Sequence, residues 1–255
     1  MTLHYKQFGQ GFPLLILHGL FGSSDNWQTL AKTLAKEQCV ILPDLRNHGQ
    51  SPHNQEWSYE AMADDIIELC NTIGLERINL AGHSMGGKTA LCIAAKKPEL
   101  IHKLMIIDIG PKYYPPHHQG VFEAIDAAEA TGLHSRKEAE IAMMKALPET
   151  GTVQFLLKNL YWKTTEKLGW RFNLPVIREN IEIVGAANNL EGFSPNIPIM
   201  FLRGEHSHYV KEEDMEEILT KIPKAVFRTI SGAGHWLHAD NPSETVSAME
   251  AWFRK

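Results

Sequence analysis

Six short apolar runs recur along the chain, at 14–17, 39–42, 78–81, 104–107, 199–202 and 226–230. The first five hold four consecutive residues with almost no polar alternation, the pattern of strands buried on both faces of a parallel sheet. Amphipathic stretches separate the earlier runs. After Ser58, the side chains Met62, Ile66, Leu69 and Ile73 fall on one helical stripe, and Gly74 stands where a helix can end. Near the far end, Asn241, Pro242 and Glu244 make a helix start ahead of Val246, Met249 and Phe253. Strand and helix in alternation predict an α/β fold with a doubly wound, mostly parallel sheet.

The rhythm breaks between Pro111 and Pro195, where the pattern contains no convincing strand but several helical stretches, at 121–130, 135–147 and 153–162. The breaker cluster Tyr113-Tyr114-Pro115-Pro116-His117-His118 marks the entry. The expected organisation is a core formed by 1–110 and 196–255, with 111–195 inserted as a helical cap.

Composition narrows the partners. The 255 residues are 44% hydrophobic and 22% charged, enough apolar material for a full core and too much for a disordered chain. A net charge of −5 gives no positive field to hold nucleic acid or anionic lipid. No apolar run approaches the ~20 residues that span a bilayer, and residues 1–8 lack a signal-peptide layout, so a cytoplasmic protein is expected. Cys39, Cys70 and Cys92 lie in apolar surroundings without metal-type spacing and read as free thiols. Of the 13 histidines, the closest groupings are His117-His118 and His206-Ser207-His208, and neither completes a ligand set such as His-Glu-x-x-His. No metal and no other cofactor is expected.

The chemistry concentrates where strands end. Directly after the third run stands Gly82-His83-Ser84-Met85-Gly86-Gly87, followed by an alanine-rich helical stretch that Pro98 closes. A strand-to-helix turn of Gly-x-Ser-x-Gly form presents a serine hydroxyl on a sharp elbow, and the glycines remove side chains that would collide there. Serine at neutral pH needs a base, and Ser231-Gly232-Ala233-Gly234-His235-Trp236 supplies His235 after the last run. His83, His102, His134 and His238 read instead as ordinary polar surface residues. An oxyanion must meet donors already in place, and the loop His18-Gly19-Leu20-Phe21-Gly22 offers the backbone N–H of Leu20, to pair with that of Met85. Phe21 is the weaker choice for the first donor.

The acid of the expected triad is the problem. After the penultimate strand the chain reads Gly204-Glu205-His206-Ser207, and the slot usual for an aspartate holds Ser207. A hydroxyl can accept the histidine N–H but brings no charge to steady an imidazolium. Asp108, ending the neighbouring strand, is the preferred carboxylate, with Glu205 as competitor. Asp44, in Asp44-Leu45-Arg46-Asn47-His48-Gly49-Gln50-Ser51, reads as a loop brace paired with Arg46.

Taken together, His18-Gly19-Leu20-Phe21-Gly22-Ser23, Arg46-Asn47-His48-Gly49, the elbow around Ser84 running on to Lys88, Asp108-Ile109-x-Pro111 and Gly232-Ala233-Gly234-His235-Trp236 resemble the YbfF-type bacterial esterases of the α/β-hydrolase superfamily. The resemblance covers the whole chain. It implies hydrolysis of acyl esters, short to medium in chain length and with acyl-CoA thioesters among the substrates. It also implies an acid at the position of Asp108 and a supporting serine at that of Ser207. On that reading the small-molecule pocket takes Phe21, Phe155, Trp162, Trp170 and Trp236 as substrate-binding side chains, and Phe122, Leu156 and Phe172 are further apolar candidates from the cap. Lys88, Lys158, Arg171 and Arg178 are the basic side chains available to coenzyme A phosphates. Two other readings stay open: carbon–carbon bond hydrolysis on the same triad, and a ligand receptor on a hydrolase scaffold. Halide- or epoxide-processing chemistry requires a carboxylate nucleophile and is excluded by serine at 84.

Overall fold

A computed structural model describes every residue except Gly192, Ser194, Pro195 and Lys255, so the far end of the expected cap lies outside the described residues. The strands in chain order are β1 (Tyr5–Phe8), β2 (Phe12–Leu17), β3 (Gln38–Pro43), β4 (Ile78–His83), β5 (Ile101–Ile107), β6 (Leu160–Trp162), β7 (Leu168–Trp170), β8 (Ile199–Gly204) and β9 (Val226–Ile230). The helices are α1 (Gln28–Leu34), α2 (Tyr59–Thr72), α3 (Met85–Lys96), α4 (Gln119–Glu129), α5 (Arg136–Ala146), α6 (Thr150–Leu157), α7 (Leu174–Glu179), α8 (Ile181–Gly185), α9 (Glu212–Lys221), α10 (Leu237–Asp240) and α11 (Pro242–Phe253). All six apolar runs are strands, joined in the order β1-β3-β2-β4-β5-β8-β9. Every pairing in that sheet is parallel except β1 against β3. This is a doubly wound, mostly parallel α/β sheet.

Period-two alternation divides the strands between two cores. Leu15, Leu17, Ile41, Leu80, Leu104 and Ile106 pack on one side, and Leu14, Ile16, Val40, Leu42, Met105 and Ile107 on the other. Ser58 caps α2 by accepting the N–H of Ala61, and Met62, Ile66 and Leu69 are buried along its inner stripe, each stabilising by about 1.5–3 kcal/mol. Gly74 follows the helix with φ of 72°, where a side chain would be strained.

Between β5 and β8 the structure corrects the strand-free expectation. Helices α4 to α8 are present, but so is the antiparallel pair β6 and β7, with Leu160 opposite Trp170. The helix expected over 153–162 stops at Leu157, and the aromatic, β-prone Tyr161 and Trp162 turn back through 163–167 to form the hairpin instead. This segment is tied to the rest by buried polar groups. Asn159 Nδ2 donates to the Phe21 carbonyl at 2.8 Å, and the Asn173 N–H to that of Asn47 at 2.8 Å. Lys88 Nζ donates to the carbonyls of Lys112 and Ala186 and lies over the Tyr114 ring.

Register decides what meets at the sheet's carboxyl edge. His83 pairs with Ile107, Ile107 with Leu202, and Gly204 with Ile230. The residues after those strands, Ser84, Asp108, Ser207 and His235, therefore leave adjacent strand tips, at the crevice where open α/β sheets bind ligands.

Candidate active site

Ser84 sits between β4 and α3 with φ of 54° and ψ of −120°, a conformation rarely adopted by a side-chain-bearing residue. Its neighbours explain how the elbow closes. A Cβ on Gly82 would stand 2.2 Å from the Gly86 carbonyl oxygen, and one on Gly86 would stand 2.5 Å from that of Leu17. Both obstacles are backbone and cannot swing away. Gly86→Ala is accordingly expected to cost about 2 kcal/mol or more of stability, checked by urea unfolding, because the elbow and the strand beside it must separate. Although Ser84 occupies the N-cap of α3, its hydroxyl makes no capping bond.

Asp108 is fully buried, at a φ of 51°. Its Oδ1 accepts the N–H of Gly204 at 3.0 Å, and its Oδ2 accepts both the Ser207 hydroxyl and, at 2.7 Å, His235 Nδ1. A carboxylate can only accept here, so Nδ1 carries the ring proton and Nε2 is left with its lone pair. Glu205 is elsewhere: it is exposed and its Oε2 accepts the N–H of Gly232 at 2.7 Å. Ser207 in turn accepts the N–H of Tyr209, whose ring lies on that of His235 with centroids 3.9 Å apart.

His83 and His238 are not the surface residues expected of them. Both are buried, because the helices and loops around the sheet edge close over them. His83 Nε2 donates to the His235 carbonyl at 2.8 Å and so holds that loop, while His238 stacks on Trp27 with centroids 4.5 Å apart. Burial drives the His83 pKa well below its ordinary value and that of His238 down to about 4. The predicted Asp44–Arg46 pair is corrected too. Asp44 accepts the N–H groups of Ser24 and Gln50 and the His4 ring, whereas Arg46 Nε reaches Asp65 at 2.6 Å on α2.

Ser84, Met85, Leu20, Phe21, Phe155, Trp236 and His235 all line one cavity of about 440 Å³. Trp162 and Trp170 do not. They belong to the β6–β7 hairpin, where Trp162 is 54% exposed and Trp170 stacks on Phe172 beside a second hollow. Leu156 lines the cavity, while Phe122 is buried edge-on against Phe21. Met85 opens α3, so its N–H has no acceptor within the helix and stands at the positive end of the helix dipole. Of the basic candidates, Lys88 is committed to backbone carbonyls, Arg178 pairs with Asp126, and neither Lys158 nor Arg171 lines the cavity. Among the described residues no group of three or more His, Cys, Asp or Glu side chains is gathered to hold a metal, and no helix is long and apolar enough to cross a membrane.

A doubly wound sheet with a serine elbow, and a histidine and carboxylate meeting beyond its strand tips, defines a class, and residues 13–242 match the family of the alpha/beta hydrolase fold. The chain belongs to that family. Among its relatives, Esterase YbfF of Escherichia coli is 34% identical over 94% of this chain and 92% of its own length. A putative esterase/lipase of Haemophilus influenzae is 35% identical over 95% of this chain and 83% of its own. The sn-1-specific diacylglycerol lipase ABHD11 of Mus musculus is 36% identical over 94% and 80%. A solved structure described as a marine microorganism esterase superposes with a TM-score of 0.95 at 36% identity, covering 98% of this chain and 99% of that one.

Proposed function

We propose that the protein is a serine ester hydrolase, cleaving esters of short to medium acyl chains through an acyl-enzyme on Ser84. The observation that carries the reading is the 2.7 Å contact between the buried Asp108 and Nδ1 of His235, which lines the same cavity as Ser84. Because that contact holds the Nδ1 proton, Nε2 is free to take the proton of Ser84 as its oxygen attacks the acyl carbonyl. Asp108 fixes the ring and steadies the imidazolium that results, and Ser207 and Gly204 fix Asp108. The N–H groups of Leu20 and Met85 receive the oxyanion, the latter reinforced by the N-terminus of α3. His235 then protonates the departing alcohol, and water, activated by the same nitrogen, releases the acid. The described residues of 111–195 act as the cap, with Phe155 and Leu156 against the acyl chain. The cavity, at about 440 Å³, suits a ligand of modest size, since small-molecule sites run to about 300–1,000 Å³. The esterase and lipase relatives support the same reaction class.

Ser84→Ala is expected to abolish turnover of p-nitrophenyl butyrate and labelling by a fluorophosphonate. Labelling that persists at the parent rate would place the nucleophile elsewhere, and a parent protein that never labels would favour a receptor on this scaffold.

A further inference from the structure

Among the described residues, the cavity that holds Ser84 is lined by no lysine and no arginine. Three of its histidines, His18, His83 and His238, are buried and His118 is half-buried, and burial lowers the pKa of all four, that of His118 and His238 to about 4. With histidine counted neutral, Glu149 carries the one formal charge among the lining residues described. Asp108 stands behind His235, and Glu149 is exposed at the rim where α6 begins, with Thr152 as its hydroxyl partner. An anionic group drawn inside would lose its hydration and meet no lysine or arginine among the described lining residues. The first turn of α4, whose Gly120 and Val121 line the wall, offers only a fraction of a positive charge, too little to replace that hydration. Lys158 acts on His238 through space but is exposed and stands outside the lining.

Resting on the esterase reading, we infer that the cavity selects uncharged acyl groups and rejects those ending in a carboxylate, with Glu149 as the residue that enforces the choice at the rim. The substrate class is therefore the monocarboxylic ester and not the half-ester of a dicarboxylic acid. The two acyl groups compared differ in size by one methyl group and in charge by a full unit, so a large difference in rate reports the charge.

The test compares mono-p-nitrophenyl adipate with methyl p-nitrophenyl adipate at pH 8 on the full chain, each rate corrected for hydroxide attack. The methyl ester is expected to exceed the free acid in kcat/KM by about 100-fold, and Glu149→Lys to shrink that ratio by about tenfold, the scale of reversing one charge near a partly solvated path. A free acid turned over as fast as its methyl ester overturns the inference. A ratio unmoved in Glu149→Lys overturns Glu149 as its determinant. If neither methyl p-nitrophenyl adipate nor p-nitrophenyl hexanoate is hydrolysed, the esterase reading itself fails and the inference goes with it.

Discussion

Asp108→Asn is expected to lower kcat for a p-nitrophenyl ester by about 10⁴ while leaving the fold intact, the scale found when a triad acid becomes an amide. The reason lies in donor and acceptor identity more than in charge alone. Asp108 Oδ1 accepts the Gly204 N–H, and Oδ2 accepts from both Ser207 and His235. An asparagine keeping its carbonyl oxygen toward Gly204 turns an NH₂ group toward Ser207 and the ring. Ser207 can reverse its hydroxyl and accept, but His235 must then present a bare Nδ1 and carry its proton on Nε2, the nitrogen that the proposed attack by Ser84 needs empty. The tautomer is wrong for a base. Glu205 offers no substitute, since its carboxylate is engaged by Gly232. Steady-state kinetics with a thermal melt beside them check this: a loss of less than tenfold with an unchanged melt would remove Asp108 from the triad.

That Asp108 belongs beside His235 was legible because neighbouring strands deliver their following residues to one edge, and the run ending at 107 neighbours the run ending at 202. The six strands were legible for a related reason: buried parallel strands carry uninterrupted apolar runs. The elements that escaped lack this signature. Strand β1 reads Tyr-Lys-Gln-Phe at the sheet margin with no residue fully buried, and β6 and β7 are three residues each, shorter than any periodicity can register. The histidines escaped for another cause. Nothing adjacent to His83 or His238 in sequence announces burial, because Trp27 reaches both from a remote part of the chain and the His235 loop reaches His83 from another. Trp162 and Trp170 show the reverse error: large aromatic residues in the expected cap suggested a substrate wall, and the β6–β7 hairpin holds them outside the lining of the Ser84 cavity.

Those buried imidazoles make acid the condition under which the fold should fail. Burial lowers the pKa of His48 to about 3 and of His118 and His238 to about 4, with His83 well below its ordinary value. In the unfolded chain each histidine takes its proton near pH ~6.5. Between pH 6.5 and about 4 the unfolded state therefore binds more protons than the folded one, so stability falls as pH falls through that window and is fully present above it. His238 alone accounts for roughly 3 kcal/mol, its shift to about 4 converted at about 1.4 kcal/mol per pKa unit. Asp44 acts in a separate range. Burial opposes its charge, but His18 and the amides of Ser24 and Gln50 hold it below 3.8, so its contribution is lost only at more acid pH. Urea midpoints measured from pH 7.5 down to 4.5 should fall steeply, and His238→Phe, which keeps a ring against Trp27 and removes both the proton and an unpaired buried Nδ1, should flatten the slope. An equally steep slope in that variant would mean that the His238 ring charges freely within the fold, and that some other group carries the acid sensitivity.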